Sequence, residues 1–135
     1  MKKRYLFAIA AAIAAGSIFG LGTPKSTPTA VAATPPASFQ EDVLPIFAGR
    51  CVSCHSQNGE GFKASGLDLT TYKGVLAGTK FGPMVIPGDP DSSNLMRLLD
   101  WRTSPQLRMP HNKKQLSVCD RNAVRAWIRE GAKDN

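Results

Sequence analysis

Apolar residues recur at helical spacing in three places along this chain. Phe39, Val43, Ile46 and Phe47 make the first stripe; Leu95, Leu98 and Leu99 the second; Val124, Trp127 and Ile128 the third. Polar residues mark the ends of these stripes. Ser38-x-x-Glu41 fits a capping box, and Asp42 also suits a helix N-terminus. Pro45 is tolerated only in a first turn, so the first helix is expected to start late or to bend there. Asp91 or Ser92 is placed to cap the second helix, and Ser117, with Asp120 three residues on, the third. Gly131 suits the position just past the third helix. Residues 56–90 hold ten Gly and Pro residues, which predicts loops and turns with one short helix at Thr70–Ala77. Residues 102–116 read as an extended loop. No stretch alternates convincingly as a strand, and no internal repeat is visible. The chain therefore reads as all-α, three to four helices joined by long Gly/Pro-rich loops.

The first 32 residues have a different character. Lys2, Lys3 and Arg4 precede an Ala-rich apolar run from Tyr5 to Ala15, continued by Ile18, Phe19 and Leu21, and a small-residue cleavage pattern follows at Ala30-Val31-Ala32. This is the pattern of an export signal with a long Thr/Pro/Ser/Ala spacer. The apolar run is broken by Gly16, Ser17, Gly20 and Gly22, and a spanning helix needs about 20 apolar residues. The expected organisation is a signal peptide over 1–32, a flexible leader over 33–37 and one domain over 38–135. The expected location is periplasmic or otherwise exported, with membrane attachment only if the signal stays uncleaved.

Removing the signal changes what the charge implies. The 135 residues carry a formal net charge of +7, but four of the 17 basic residues (Lys2, Lys3, Arg4, Lys25) and none of the acids lie in that segment, which leaves +3. No basic run is interleaved with aromatics, so a nucleic-acid partner is not indicated. The remaining 103 residues suffice for one small domain with a modest core of its own.

The chemistry sits at Cys51-Val52-Ser53-Cys54-His55. Two thiols three positions apart, followed at once by a histidine, read as a covalent c-type haem attachment site. Each thiol adds across one vinyl group, and the next residue supplies the proximal iron ligand. A dithiol redox pair or half of a zinc site would share the spacing. The zinc reading needs a second ligand pair, whereas Cys119 and His111 are the only other cysteine and histidine and do not form one. The redox reading needs a βαβ context that is absent. Covalent haem is attached outside the cytoplasm, so motif and export signal agree.

A low-spin carrier needs a sixth ligand. Met1 falls in the signal, Met96 in an apolar helical stretch, and Met84 in a Gly-Pro segment. Met109 stands before Pro110, which biases it toward extended backbone suited to a loop across the haem. His111 is a rival two residues away. Arg97, Arg102, Arg108, Lys80 and Tyr72 are candidates to pair with haem propionates, although a solvated side chain is the plainer role for each. Trp101 and Trp127 read as packing residues. Cys119 reads as a small buried helix residue, or else as the source of an intermolecular disulfide.

The order of elements resembles a class I cytochrome c. Gly66-Leu67-Asp68-Leu69, Gly82-Pro83-Met84-Val85-Ile86-Pro87-Gly88-Asp89-Pro90, Ser93-Asn94-Leu95, Met109-Pro110, Leu116-Ser117 and Trp127-Ile128-x-x-Gly131-Ala132 follow the haem motif in that order. Together they resemble the planctomycete-type cytochrome c domain over about residues 39–133. The resemblance implies one haem c, attached to Cys51 and Cys54, with His55 as proximal and Met109 as distal ligand. This chain has Met109-Pro110-His111 where the family usually has Met-Pro-Pro. The function implied is electron transfer between redox partner proteins, not enzymatic turnover. Two alternatives differ in kind: a haem sensor or small catalytic haem protein with an exchangeable sixth site, and an electron-transfer subunit of a separate dehydrogenase. No distal His/Arg pair with peroxidase spacing is visible.

Overall fold

The structure is a computed structural model that describes residues 35–135. The signal expected over 1–32 and the first two leader residues lie outside the described residues. Among the described residues there are five α-helices and no strand, only an isolated bridge between Thr79 and Gly82. No helix among them is long and apolar enough to cross a membrane.

The chain opens with a π-helical turn, Phe39–Val43, that runs into α1, Leu44–Arg50. The change of register falls at the expected proline. Pro45 stands in the first turn of α1, where its missing N–H costs nothing, and the wider turn precedes it. Ser38 caps this start as expected: its Oγ accepts from the Glu41 N–H at 3.1 Å. The reciprocal arm is closed by Asp42, whose Oδ2 accepts the Ser38 N–H at 2.8 Å, and not by Glu41.

Two short helices follow in the glycine-rich stretch. α2, Glu60–Ser65, was not expected among so many glycines; α3, Tyr72–Ala77, is the short helix expected there, and Thr71 caps it. α4 spans Asn94–Leu99. Its N-cap is Ser93 rather than Asp91 or Ser92, because Ser93 is drawn inward: its buried Oγ accepts the Ile86 N–H and donates to the Asp89 carbonyl. A 3₁₀ turn, Pro105–Leu107, lies in the following loop. α5, Val118–Arg129, is capped by Ser117, and Gly131 takes the left-handed conformation just after it, as the sequence predicts.

α5 is the element to which the others are fixed. Phe39 of the opening turn packs against Trp127 with ring centroids 5.4 Å apart, and Tyr72 of α3 meets Phe39 edge-on at 5.3 Å. Such pairs add about 0.5–1.5 kcal/mol beyond simple burial. The polar ends of both partners are satisfied, Tyr72 Oη by the Ala132 carbonyl at 2.9 Å and Trp127 Nε1 by the Lys133 carbonyl at 2.8 Å. Phe47, Leu95, Met96, Leu99, Val124 and Ile128 continue the core, which places Met96 among packing residues.

α4 is tied to α5 by charge. The mostly buried Asp100 carboxylate, at the end of α4, pairs with Arg125 and, at 3.3 Å, with Arg121; Arg102 lies 3.6 Å away, and Arg125 also reaches Asp91 at 2.8 Å. Removing the shared acid would leave the mostly buried Arg121 guanidinium without an ion pair and Arg125 with Asp91 alone. Asp100→Ala should therefore cost about 2–3 kcal/mol. Thermal unfolding followed by circular dichroism should show a midpoint lower by roughly 10 °C in a domain of this size.

Candidate haem-binding cavity

A cavity of about 750 Å³ opens between the elements described above. That size lies within the range of about 300–1,000 Å³ usual for small-molecule and cofactor sites. Its walls draw on the end of α1, the Cys51–His55 turn, α2, Leu67 and Leu69, the Thr79–Gly82 turn, Met84, α4 and the loop that follows α4. Most of these contributions are apolar.

The Cys51–His55 turn is held by backbone bonds: the Cys54 and His55 N–H groups both donate to the Cys51 carbonyl, at 3.0 and 2.9 Å. This brings the side chains of Cys51, Cys54 and His55 to one cavity. The two cysteines are not bonded to each other. Burial pushes the Cys51 thiol up to about 11 against the nearby positive charge of Arg50 and Lys113, so it stays protonated near neutral pH. His55 is buried, and its Nδ1 has no hydrogen-bond partner. Burial pushes the imidazole below its ordinary value; the nearby Leu67 backbone opposes the shift without making a regular hydrogen bond to Nδ1. The neutral ring is the form that can offer a lone pair to a metal. A neutral imidazole facing a large apolar cavity beside two unpaired thiols fits haem c. Among the described residues no group of three or more His, Cys, Asp or Glu could hold a bare metal ion, so no zinc-type ligand set converges here.

Met109 lines the same cavity, and so do Met84 and His111. Met109 is half-buried; Met84 is buried in the core cluster; His111 is exposed. The Met109–Pro110 peptide is cis.

Residues 51–112 match the sequence model of the family described as Planctomycete cytochrome C. The segment is similar to that family, which is consistent with a cytochrome c-type domain. No curated protein and no solved structure matches the chain. The similarity implies covalent haem c, and the structure presents Cys51 and Cys54 at the cavity.

The structure also sorts the secondary candidates. Of the five propionate candidates only Arg97 and Lys80's neighbourhood border the cavity: Arg97 lines it, and Lys80 sits 5.2 Å over the ring of Phe81, which does too. Arg102 faces Asp100, Arg108 lies 5.2 Å over the Trp101 ring, and Tyr72 is in the aromatic cluster. Arg50 and Lys113 line the cavity and were not singled out by sequence. Cys119 corrects the expectation of a buried helix residue. It is exposed, because it falls off the stripe that Val124, Trp127 and Ile128 turn inward. Trp101 is likewise more than packing: its Nε1 donates to the Met109 carbonyl at 2.9 Å.

Gly61 is the site residue that sequence reasoning missed. A Cβ there would stand 2.8 Å from Cε1 and 2.9 Å from Nε2 of His55. Nothing separates Gly61 from its many glycine neighbours in sequence. Gly61→Ala should force the imidazole aside at a cost of about 1–3 kcal/mol. The check is haem content per protein in purified material, which should fall severalfold while far-ultraviolet circular dichroism of the haem-bearing fraction stays helical.

Exposure gives a second expectation. Haem-loaded protein should offer a single thiol to a native-state thiol reagent, and Cys119→Ser should abolish it. Reaction at two or three thiols would show that Cys51 and Cys54 are not both bonded to haem.

Proposed function

We propose that this protein is an exported, single-haem c-type cytochrome that carries electrons between redox partner proteins, with His55 and Met109 as axial ligands. The observation that carries this reading is the gathering of Cys51, Cys54, His55 and Met109 around one apolar cavity.

Haem c, when bound, supplies one-electron cycling of its iron. The protein's part is to hold and tune it. Cys51 and Cys54 anchor the group through thioether bonds from one short turn. His55, neutral and packed against Gly61, offers its ring from the same turn. Met109 offers a thioether from the loop after α4, and such a ligand favours a higher reduction potential than a second histidine would. Phe47, Leu67, Leu69, Leu95, Leu98 and Leu99 exclude water, which disfavours added charge inside the cavity.

The rim suits a partner. Phe81 is 80% exposed and Leu107 56%, and both border the cavity. Arg50 and Lys113 also border it, and Lys80 lies over Phe81. An apolar contact edged by cations favours an acidic partner surface, with association rates that fall as salt rises. Export rests on the N-terminal signal pattern, and a membrane role arises only if that segment is retained.

Met109→Ala is the test. The ferric wild-type protein should show the far-red methionine–iron charge-transfer band, and its ferrous form should bind carbon monoxide slowly. The variant should lose the band and bind carbon monoxide rapidly. Rapid binding by the wild-type protein would overturn the saturated carrier in favour of an exchangeable site. An unchanged spectrum in the variant would move the ligand to Met84 or His111.

A further inference from the structure

The loop that carries Met109 is fastened to the end of α4 by its backbone. The Met109 N–H donates to the Leu98 carbonyl at 3.2 Å, and the Met109 carbonyl accepts the Trp101 indole N–H at 2.9 Å. Both polar groups of this one residue are therefore held by residues three positions apart on a single helix terminus.

That terminus is unusual. The Arg102 N–H bonds the Arg97 carbonyl at 2.9 Å, and the Trp101 N–H bonds the Leu98 carbonyl at 3.2 Å. This is the six-to-one and five-to-two pairing of a Schellman motif, in which the residue after the cap is normally glycine in the left-handed conformation. Here that residue is Trp101, with φ of +59°. A bulky side chain in this region is strained, and such a conformation persists only where the surrounding structure over-determines it. The indole has no place in the fully buried core. Its ring carries Arg108 at 5.2 Å on one face, and its only polar atom is spent on Met109.

We propose that Trp101 is a positioning residue for the sixth ligand: it occupies a glycine position so that its indole can hold the Met109 backbone and keep the thioether on the iron. The proposal rests on the reading of Met109 as that ligand. Without the indole Met109 keeps only its bond to the Leu98 carbonyl, and the methionine leaves the iron more often.

Two haem-loaded variants test this. Trp101→Phe keeps an aromatic face for Arg108 and removes the donor. Trp101→Gly also removes the donor but relaxes the backbone at a position glycine prefers. Both should bind carbon monoxide in the ferrous state roughly fivefold faster than wild type, the change expected for loss of one such hydrogen bond. In both, the ferric charge-transfer band should fade on heating well before helicity is lost. A tryptophan with only a packing role would instead let band and helicity vanish together, at a wild-type carbon monoxide rate, and that result overturns the proposal. A wild-type protein lacking the band overturns the methionine reading and this proposal with it. A wild-type band unmoved by either variant overturns this proposal alone.

Discussion

The packing of Phe39 and Asp100 onto one helix, α5, sets everything else in this domain. Phe39 reaches α5 through Trp127, and Asp100 reaches it through Arg121 and Arg125. The first contact fixes α1, whose end leads directly into the Cys51–His55 turn. The second fixes the end of α4, from which the Met109 loop departs. Two stretches of chain more than 50 residues apart in sequence are thereby referred to one strut. Phe47, Leu95 and Leu99 belong to the core that includes Val124, Trp127 and Ile128 of the strut, and they also line the cavity, so they serve the core and the cavity wall at once. The two contacts differ in kind. The aromatic one is nonpolar and insensitive to salt. The ionic one is mostly shielded from solvent, so it too is screened less than a surface pair.

What could be read from the sequence was what depends on neighbours in sequence. The Cys-x-x-Cys-His spacing is such a pattern, and so are the Ser117 cap with its Asp120 and the glycine after α5, the last two found where expected. Pro45 likewise marked the change in helical register. What escaped depends on distant contacts. Ser93 became the cap of α4 because Ile86 and Asp89, on the preceding loop, pull its hydroxyl inward. α2 forms in a stretch whose glycines argue against a helix; the Phe62 N–H bonds back to the Cys54 carbonyl, outside the helix itself. Gly61 is required only because a histidine six residues earlier folds against it. Cys119 was misjudged for a simpler reason: its residue type suggested burial, but its helical phase does not.

Charge around the cavity is arranged by sequence neighbours as well. Arg50 precedes the first haem-motif cysteine, and Lys113 closes the loop that follows Met109; together they offset, without overcoming, the effect of burial on the Cys51 thiol. Arg97 reaches the same cavity from α4, while Arg102, Arg121 and Arg125 turn to Asp100. Five of the arginines thus fall into two sets with different duties. One set faces Asp100, and within it Arg121 and Arg125 join α5 to the end of α4. The other has no ion pair among the described residues and borders the cavity, where it can meet carboxylates of the cofactor or of a partner.

The treatment of Met109 follows from the nature of its side chain. A methionine has three rotatable side-chain bonds and a neutral, weakly basic sulfur, so the side chain itself does little to hold its place. Ordering a loop residue costs about 1–2 kcal/mol for its backbone alone. A weak ligand on a loose loop would spend much of its affinity on that ordering. In this fold the ordering is done in advance, by the Leu98 carbonyl and the Trp101 indole, and both belong to the end of a helix that Asp100 locks to α5. The strained Trp101 backbone and the shielded ion network are then parts of one chain of support running from the strut to Met109. If Met109 is the sixth ligand as proposed, the identity of residue 109 sets what the iron meets, and the end of α4 sets how firmly that side chain is held.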